Sequence, residues 1–338
     1  MLKKTMKCLP KFMGGEEENL PLLDIQSLVV EYYTLKAVVK AVDRVSLSVE
    51  KGETLGLVGE SGCGKSTLGL SAIRLVPSPG RIVSGSVALD GIDVVNCSEE
   101  EIRRVRGKRV GYIFQDPMTS LNPVKNIGDH FVEMIRTHEP KVIREDALKR
   151  AEDMLERLGI VPERIHDFPH QFSGGMRQRV MIGLALALNP NLLIADEPTT
   201  SLDVIVEAQI VELLKRLKES LNLTLILITH NIGLVAEMAD RVAVMYAGRL
   251  IELGDTRRLF EKPLHPYTQA LLNSVPNITK KGQVLSWIPG APPDLAEPPP
   301  GCPYHPRCSF AFDRCMKEEP LLVKHDDSEV ACHLYDKR

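Results

Sequence analysis

Apolar positions along the chain fall into two rhythms, and they take turns. Val45-Ser46-Leu47-Ser48-Val49 alternates with period two, as a half-buried antiparallel strand does, and Leu28-Val29-Val30 followed by Tyr32-Tyr33 is likewise extended. Thr54-Leu55-Gly56-Leu57-Val58 is nearly all apolar, as strands buried on both faces are. Val110 to Phe114, Leu192 to Ala195 and Thr224 to Thr229 predict further strands. Between them lie stretches of helical period: Ser66 to Arg74, residues 99–106 and 142–158, Met176 to Leu188 (stopped by Asn189-Pro190) and Glu207 to Glu219. Val242 to Tyr246, the turn Ala247-Gly248 and Arg249 to Glu252 predict a hairpin. Strand and helix alternate without an internal repeat, which argues for an α/β fold with a mostly parallel sheet.

Composition adds limits. The chain has 338 residues, 43% hydrophobic and 26% charged, enough for one large domain and a smaller one. A net charge of −3 and a pI near 6.3 give no general affinity for nucleic acid or an anionic membrane surface. The basic run Arg103, Arg104, Arg106, Lys108 and Arg109 follows Glu99 to Glu101 and reads as a solvated helix face. The apolar runs Val180–Leu188 and Leu223–Thr229 fall short of the ~20 residues a membrane-spanning helix needs. No secretory signal is expected behind Met1-Leu2-Lys3-Lys4, so the expected location is cytoplasmic. Residues 1–20 read as a polar tail. Composition shifts after Glu261, and the proline-rich Pro289 to Pro306 marks residues 263–338 as a partly linker-like C-terminal extension. Cys302, Cys308, Cys315 and Cys332 crowd that extension, which in a cytoplasmic chain reads as a metal site before disulfides.

The strongest chemistry follows the strand at Thr54–Val58. Gly59-Glu60-Ser61-Gly62-Cys63-Gly64-Lys65-Ser66 fits G-x-x-x-x-G-K-S/T in full. Its glycines let backbone N–H groups turn toward phosphate oxygens, and the helix that starts near Ser66 adds its positive end. Lys65 reaches the β- and γ-phosphates, Ser66 ligates Mg²⁺, and Thr67 adds an α-phosphate contact.

Leu192-Leu193-Ile194-Ala195-Asp196-Glu197 is an apolar strand ending in two carboxylates. Asp196 is placed to hold Mg²⁺ through water. Glu197, one residue on, points differently and can serve as general base toward an attacking water. Ser173-Gly174-Gly175 offers a hydroxyl and N–H groups at the start of a helix, a second phosphate grip. Gln115 and His230 each follow a predicted strand.

The order of these motifs resembles the ABC ATPases: Walker A at Gly59–Ser66, the Q-loop at Gln115, the signature at Phe172–Met176, Walker B at Leu192–Asp196 with Glu197, the D-loop at Ser201–Asp203 and the switch His230. The resemblance covers about residues 22–262 and implies a P-loop cassette over residues 21–262. That cassette has a RecA-like parallel-sheet core, an antiparallel β subdomain and a helical subdomain near 116–189 that docks on permeases. It further implies that ATP is sandwiched between two cassettes, with Ser173, Gly174, Gly175 and Asp203 of one facing Walker A of the other. Glu197 would polarise the lytic water, His230 would contact the γ-phosphate, and Gln115 would touch Mg²⁺. Tyr32, with Tyr33 in reserve, would stack on adenine. The signature departs from the usual Leu-Ser-Gly-Gly-Gln in carrying Phe172 and Met176, and methionine cannot donate the hydrogen bonds of a glutamine amide.

Phe114 to Pro123, Phe172 to Val180, His265-Pro266-Tyr267-Thr268 and Ile288 to Pro293 resemble the dipeptide/oligopeptide importer branch. The branch implies peptide import, with oligosaccharides or nickel as alternative solutes. It implies a second ATPase subunit (a related chain before a second copy), two membrane permeases, an external solute-binding protein and a peripheral place on the cytoplasmic face of the membrane. Members of the branch hold a [4Fe–4S] cluster on a similar C-terminal cysteine pattern. The spacing Cys302-x5-Cys308-x6-Cys315-x16-Cys332 is accordingly read as iron–sulfur before zinc or unligated thiols, with His305 and His333 as substitute zinc ligands. A soluble ABC ATPase of translation or DNA repair is disfavoured by the single cassette without a long heptad run. An exporter is disfavoured by the lack of fused membrane spans, and a zinc-type nucleic-acid module by the near-neutral charge.

Overall fold

The computed structural model describes residues 20–115, 120–274 and 288–336. The expected tail, apart from Leu20, and Asp116 to Thr119 of the importer-like stretch lie outside the described residues. The chain divides into two compact units, residues 1–96 with 227–338, and residues 97–226.

The first unit contains a four-stranded antiparallel sheet of β1 (Leu23–Tyr33), β2 (Val38–Val49), β4 (Gly80–Leu89) and β5 (Ile92–Asp93), in the order β2-β1-β4-β5. Its inward positions Leu23, Ile25, Leu28, Val30, Val42, Val45 and Val49 are buried, as the period-two pattern requires. The sequence pattern did not announce β4. Its glycine at position 85 sits at φ +90, and a Cβ there would meet the Gln26 and Ser27 carbonyls at 2.6 Å. The register of β1 and β4 shifts at this point, between Gln26 and Val29. The glycine thus marks a bulge inside a strand rather than a strand end.

The parallel core of this unit pairs β3 (Thr54–Val58) with β9 (Arg241–Tyr246). Every residue of β3 is buried, and the strand leads through Gly59–Gly64 into α1 (Lys65–Ser71). The expected hairpin is β9 with β10 (Arg249–Asp255), turning at Ala247-Gly248. Beyond it lie α7 (Ile232–Met238), α8 (Thr256–Glu261), α9 (Pro266–Asn273), α10 (Asp313–Lys317) and the short strands β11 (Val323–His325) and β12 (Ser328–Val330).

The C-terminal extension is built into this unit rather than hanging from it. β12 adds antiparallel to β10, opposite Glu252 and Leu253. Arg249 bridges Asp43 and Glu319, and Arg44 joins Glu319 as well. The Glu252 carboxylate is 1% exposed and accepts the N–H groups of Leu264 (2.8 Å) and His265 (2.9 Å). Burial raises its pKa above the usual carboxylate range.

The second unit holds α2 (Glu99–Val105), β6 (Val110–Ile113), α3 (Ile127–His138), α4 (Arg144–Arg157), α5 (Gly174–Leu186), β7 (Leu192–Asp196) and α6 (Val204–Leu221). β6 and β7 are parallel and in register from Val110↔Leu192 to Ile113↔Ala195. The α2 helix carries a full capping box, with Ser98 and Glu101 each bonding the other's backbone, which explains the acidic run ahead of the basic one. The α3 helix is not among the expected elements, although its buried Ile127, Phe131, Val132 and Ile135 recur at helical spacing on one face. β8 (Thr224–Ile228) straddles the division between the units. Among the described residues no helix is long and apolar enough to cross a membrane.

Replacing the Glu252 carboxylate removes the acceptor for two buried N–H groups, each worth about 1–3 kcal/mol when orphaned. Glu252→Leu is expected to expose the segment after Pro263 to limited trypsin digestion and lower the melting temperature by several degrees. Glu252→Gln, which keeps an acceptor oxygen, is expected to do less. Unchanged cleavage in Glu252→Leu would contradict the docking assigned to this residue.

Candidate functional site

In the first unit the loop Gly59–Gly64 leaves the buried end of β3 with no room for side chains on its inner side. A Cβ at Gly59 (φ +153) would meet the Met245 carbonyl oxygen at 2.3 Å, and one at Gly64 (φ +104) the Ala41 carbonyl oxygen at 2.1 Å. Both obstacles are backbone, so they cannot move aside. The loop is also hydrogen-bonded from outside: Gly248 N–H donates to the Cys63 carbonyl at 3.0 Å, and Asp43 N–H to the Gly248 carbonyl at 2.8 Å. Cys63 is buried beside Lys65, and burial raises its thiol pKa. The Lys65 ammonium is buried and donates to the carbonyls of Gly59 (2.7 Å) and Glu60 (3.0 Å). Ser66 and Thr67 stand in the first turn of α1, whose leading N–H groups have no acceptor within the helix.

Of the two aromatic residues considered for adenine, Tyr32 lies on the loop side. Its hydroxyl is 3.4 Å from Thr67 Oγ1 and its ring edge packs over Gly80. Tyr33 instead donates to Glu31 at 2.9 Å, with the Arg81 guanidinium 5.6 Å from its ring centre. His230 is exposed directly after Thr229, whose N–H reaches the Leu57 carbonyl at 3.2 Å.

Gln115, Ser173, Gly174, Gly175, Asp196, Glu197 and Asp203 belong to the second unit. Asp196 ends β7, 4% exposed, and accepts a hydrogen bond from the Tyr112 hydroxyl at 2.9 Å. Burial, then the Asp196 charge, raises the Tyr112 pKa, so the phenol stays a donor. Tyr112 escaped the sequence reading because its relation to Asp196 depends on the register of β6 against β7. Glu197 takes φ +50, a left-handed backbone that sets its carboxylate apart from its neighbour's. Thr200 Oγ1 donates to Glu197 Oε2 at 2.9 Å.

Gln115 is exposed after β6. Ser173 is the N-cap of α5, its Oγ accepting the Met176 N–H at 3.4 Å, and it lies exposed with Gly174. Gly175 is required for packing as well as for any ligand, since a Cβ there would meet Val206 Cγ1 at 2.4 Å. The departures at Phe172 and Met176 have a local account. The Arg164 guanidinium sits 4.2 Å from the centre of the buried Phe172 ring and donates to Met176 Sδ at 3.3 Å. Asp203 is the N-cap of α6, accepting the Val206 N–H at 2.9 Å.

The cysteines of the extension are free thiols. They lie near one another: the Cys302 N–H donates to the Cys315 carbonyl at 2.8 Å. Burial pushes the Cys302 thiol up to about 11 and Cys332 up to about 12. Among the described residues no group of three or more His, Cys, Asp or Glu is placed to hold a metal ion, so neither the expected iron–sulfur cluster nor the zinc alternative gains support here. The histidines expected as substitute ligands are engaged: His305 Nδ1 is 2.9 Å from the Cys302 carbonyl, and His333 Nε2 is 2.8 Å from that of Glu318. His333 Nδ1 remains buried without a hydrogen-bond partner.

The Walker-type loop, the acidic strand end and the capped glycine helix agree with what comparison with known proteins finds. The ABC transporter family profile matches residues 42–200, and that of the oligopeptide/dipeptide transporter C-terminal region matches residues 251–315. The chain is 48% identical over 311 residues to the oligopeptide transport ATP-binding protein OppD of Bacillus subtilis, covering 91% of this chain and 87% of that one. It is 45% identical to the dipeptide transport ATP-binding protein DppD of Escherichia coli, covering 93% and 97%. Among solved structures, the dimeric cassette MJ0796 superposes with a TM-score of 0.62 at 27% identity, covering 70% of this chain and 99% of that one. CbiO1 of Clostridium perfringens gives 0.61 at 28% identity, covering 72% and 91%. The chain therefore belongs to the ABC transporter ATPases, the ATP-hydrolysing cassettes, and carries the C-terminal region of their oligopeptide/dipeptide branch.

Proposed function

We propose that this cassette energises the import of di- and oligopeptides, docked at the cytoplasmic face of the membrane on two permeases. An external peptide-binding protein and a second ATPase, related or identical, complete the assembly. The observation that carries this reading is the pairing of a complete phosphate loop with the oligopeptide-type C-terminal region in a chain alike to OppD over nine-tenths of its length.

Each residue's part follows from its chemistry. Backbone N–H groups of the loop from Ser61 onward and Lys65 hold phosphate oxygens, the Glu60 N–H being taken by Tyr267, and Tyr32 stacks on the adenine. Ser66 and Asp196, with Gln115, offer the hard oxygen ligands that suit Mg²⁺, and Tyr112 fixes the Asp196 carboxylate. Bound Mg²⁺ would supply charge neutralisation at the β- and γ-phosphates. Glu197, turned away by its left-handed backbone and held by Thr200, orients the attacking water as base. His230 contacts the γ-phosphate, and Ser173, Gly174, Gly175 and Asp203 of the facing cassette close the site. Catalysis is then chiefly positioning and charge stabilisation.

The four C-terminal cysteines are read as holders of a [4Fe–4S] cluster; what supports this is that all four are free thiols, with Cys302, Cys315 and Cys332 buried. Such a cluster would supply a covalent staple for a segment short of apolar residues.

Glu197→Gln is expected to bind ATP as the native chain does and to lose at least a hundredfold in hydrolysis; unchanged turnover would remove Glu197 from the base role. Tyr112→Phe is expected to raise the Mg²⁺ concentration needed for half-maximal ATPase several-fold with little change in melting temperature. Anaerobically purified protein is expected to show broad visible absorption with about four irons per chain, while stoichiometric zinc or no metal would overturn the cluster.

A further inference from the structure

Among the described residues the C-terminal region holds Glu60 of the phosphate loop from two sides. The Glu60 backbone N–H donates to the Tyr267 hydroxyl at 2.9 Å, and Tyr267 is fully buried in α9. The Glu60 carboxylate receives both terminal nitrogens of Arg307, at 2.7 and 3.0 Å. This is a fork-on-fork pair, and the Arg307 side chain is only 5% exposed. Arg307 also donates through Nε to the Pro289 carbonyl at 2.8 Å and through Nη1 to the Tyr246 hydroxyl at 3.2 Å. Its planar group is thus fixed on every edge, which a lysine could not reproduce.

The third polar group of Glu60 leads inward. Its carbonyl accepts from the Lys65 ammonium at 3.0 Å. One residue of the loop therefore links Arg307 and Tyr267 on the outside to the phosphate-binding lysine on the inside. Arg307 in turn ends the 3-10 turn His305–Arg307, which is flanked by Cys302 and Cys308. That turn is closed by hydrogen bonds from His305 N–H to the Cys302 carbonyl (3.0 Å) and from Cys308 N–H to the His305 carbonyl (3.2 Å). Whatever fixes or releases these cysteines also fixes or releases Arg307.

We infer that Arg307 is a positioning residue for the phosphate loop, and that the C-terminal cysteine module sets nucleotide affinity through the Arg307–Glu60 pair. The inference rests on reading Gly59–Ser66 as the nucleotide site. It assigns the oligopeptide-type region a task inside the ATPase itself: holding the loop open at the right width, and loosening it when the cysteine site is disrupted.

The test uses the full chain, with a non-hydrolysable ATP analogue and Mg²⁺ titrated by calorimetry, and with steady-state ATPase of the assembled transporter. Arg307→Ala is expected to weaken analogue binding about tenfold and raise KM for ATP similarly, with kcat at saturating ATP within threefold of native. Arg307→Lys should recover only part of the loss. Glu60→Gln should weaken binding as Arg307→Ala does, and the double variant should be no worse than either single one. A purely architectural arginine would instead lower kcat and the melting temperature while leaving KM alone. Cys315→Ser is expected to weaken binding in the native background and not in the Arg307→Ala background. Native affinity in Arg307→Ala would overturn the positioning role. No effect of Cys315→Ser, or an equal effect in both backgrounds, would overturn the coupling. If the native chain itself binds no nucleotide, the reading of the loop fails instead.

Discussion

The first unit is organised around the need to present a run of backbone N–H groups with no side chain in their way. At Gly59 and Gly64 the space a Cβ would take is already filled by the carbonyl oxygens of Met245 and Ala41. Those carbonyls belong to β9 and β2, so the loop's width is set by strands that are themselves buried and paired. The β9–β10 turn then closes the cradle through Gly248. A binding surface made of backbone acquires its precision in this way, from packing several elements away.

In the second unit two adjacent carboxylates are given different surroundings. Asp196 remains in strand geometry, buried and held by Tyr112, whereas Glu197 steps into a left-handed conformation held by Thr200. Backbone strain of this kind costs about 1–3 kcal/mol and persists where the surroundings over-determine it. Here it sets the backbone of Glu197 apart from that of Asp196, the two carboxylates for which base and metal-orienting roles are proposed.

Much of this was readable in the sequence, and the exceptions share a cause. β3, β7, β8 and the β9–β10 hairpin announce themselves because buried strands are apolar throughout and turns carry glycine. The loop and acidic pair were legible because their chemistry demands particular residues at fixed spacing. β4 was hidden because Gly85 serves a bulge whose need arises only from its partner β1. Tyr112 and Arg307 were hidden for the same reason at longer range, since each acts on a residue brought near by pairing or packing. The proline-rich extension read as linker because it has few apolar residues. Its hold comes instead from ion pairs such as Arg249–Glu319, from the buried Glu252 and from an aromatic cluster of Tyr246, Tyr267 and Tyr304.

The extension thus joins the machinery that holds nucleotide, and its oligopeptide-type sequence is bound up with the cassette's own mechanics. The central claim is that ATP hydrolysis here is spent on moving peptides. The most direct measurement is the ATPase rate of the cassette assembled with its permeases in liposomes, as peptide-loaded binding protein is added on the opposite side. The account predicts a rise in rate that depends on the peptide and matches peptide uptake. A rate indifferent to peptide, or one raised by a sugar or metal ion in its place, would contradict it.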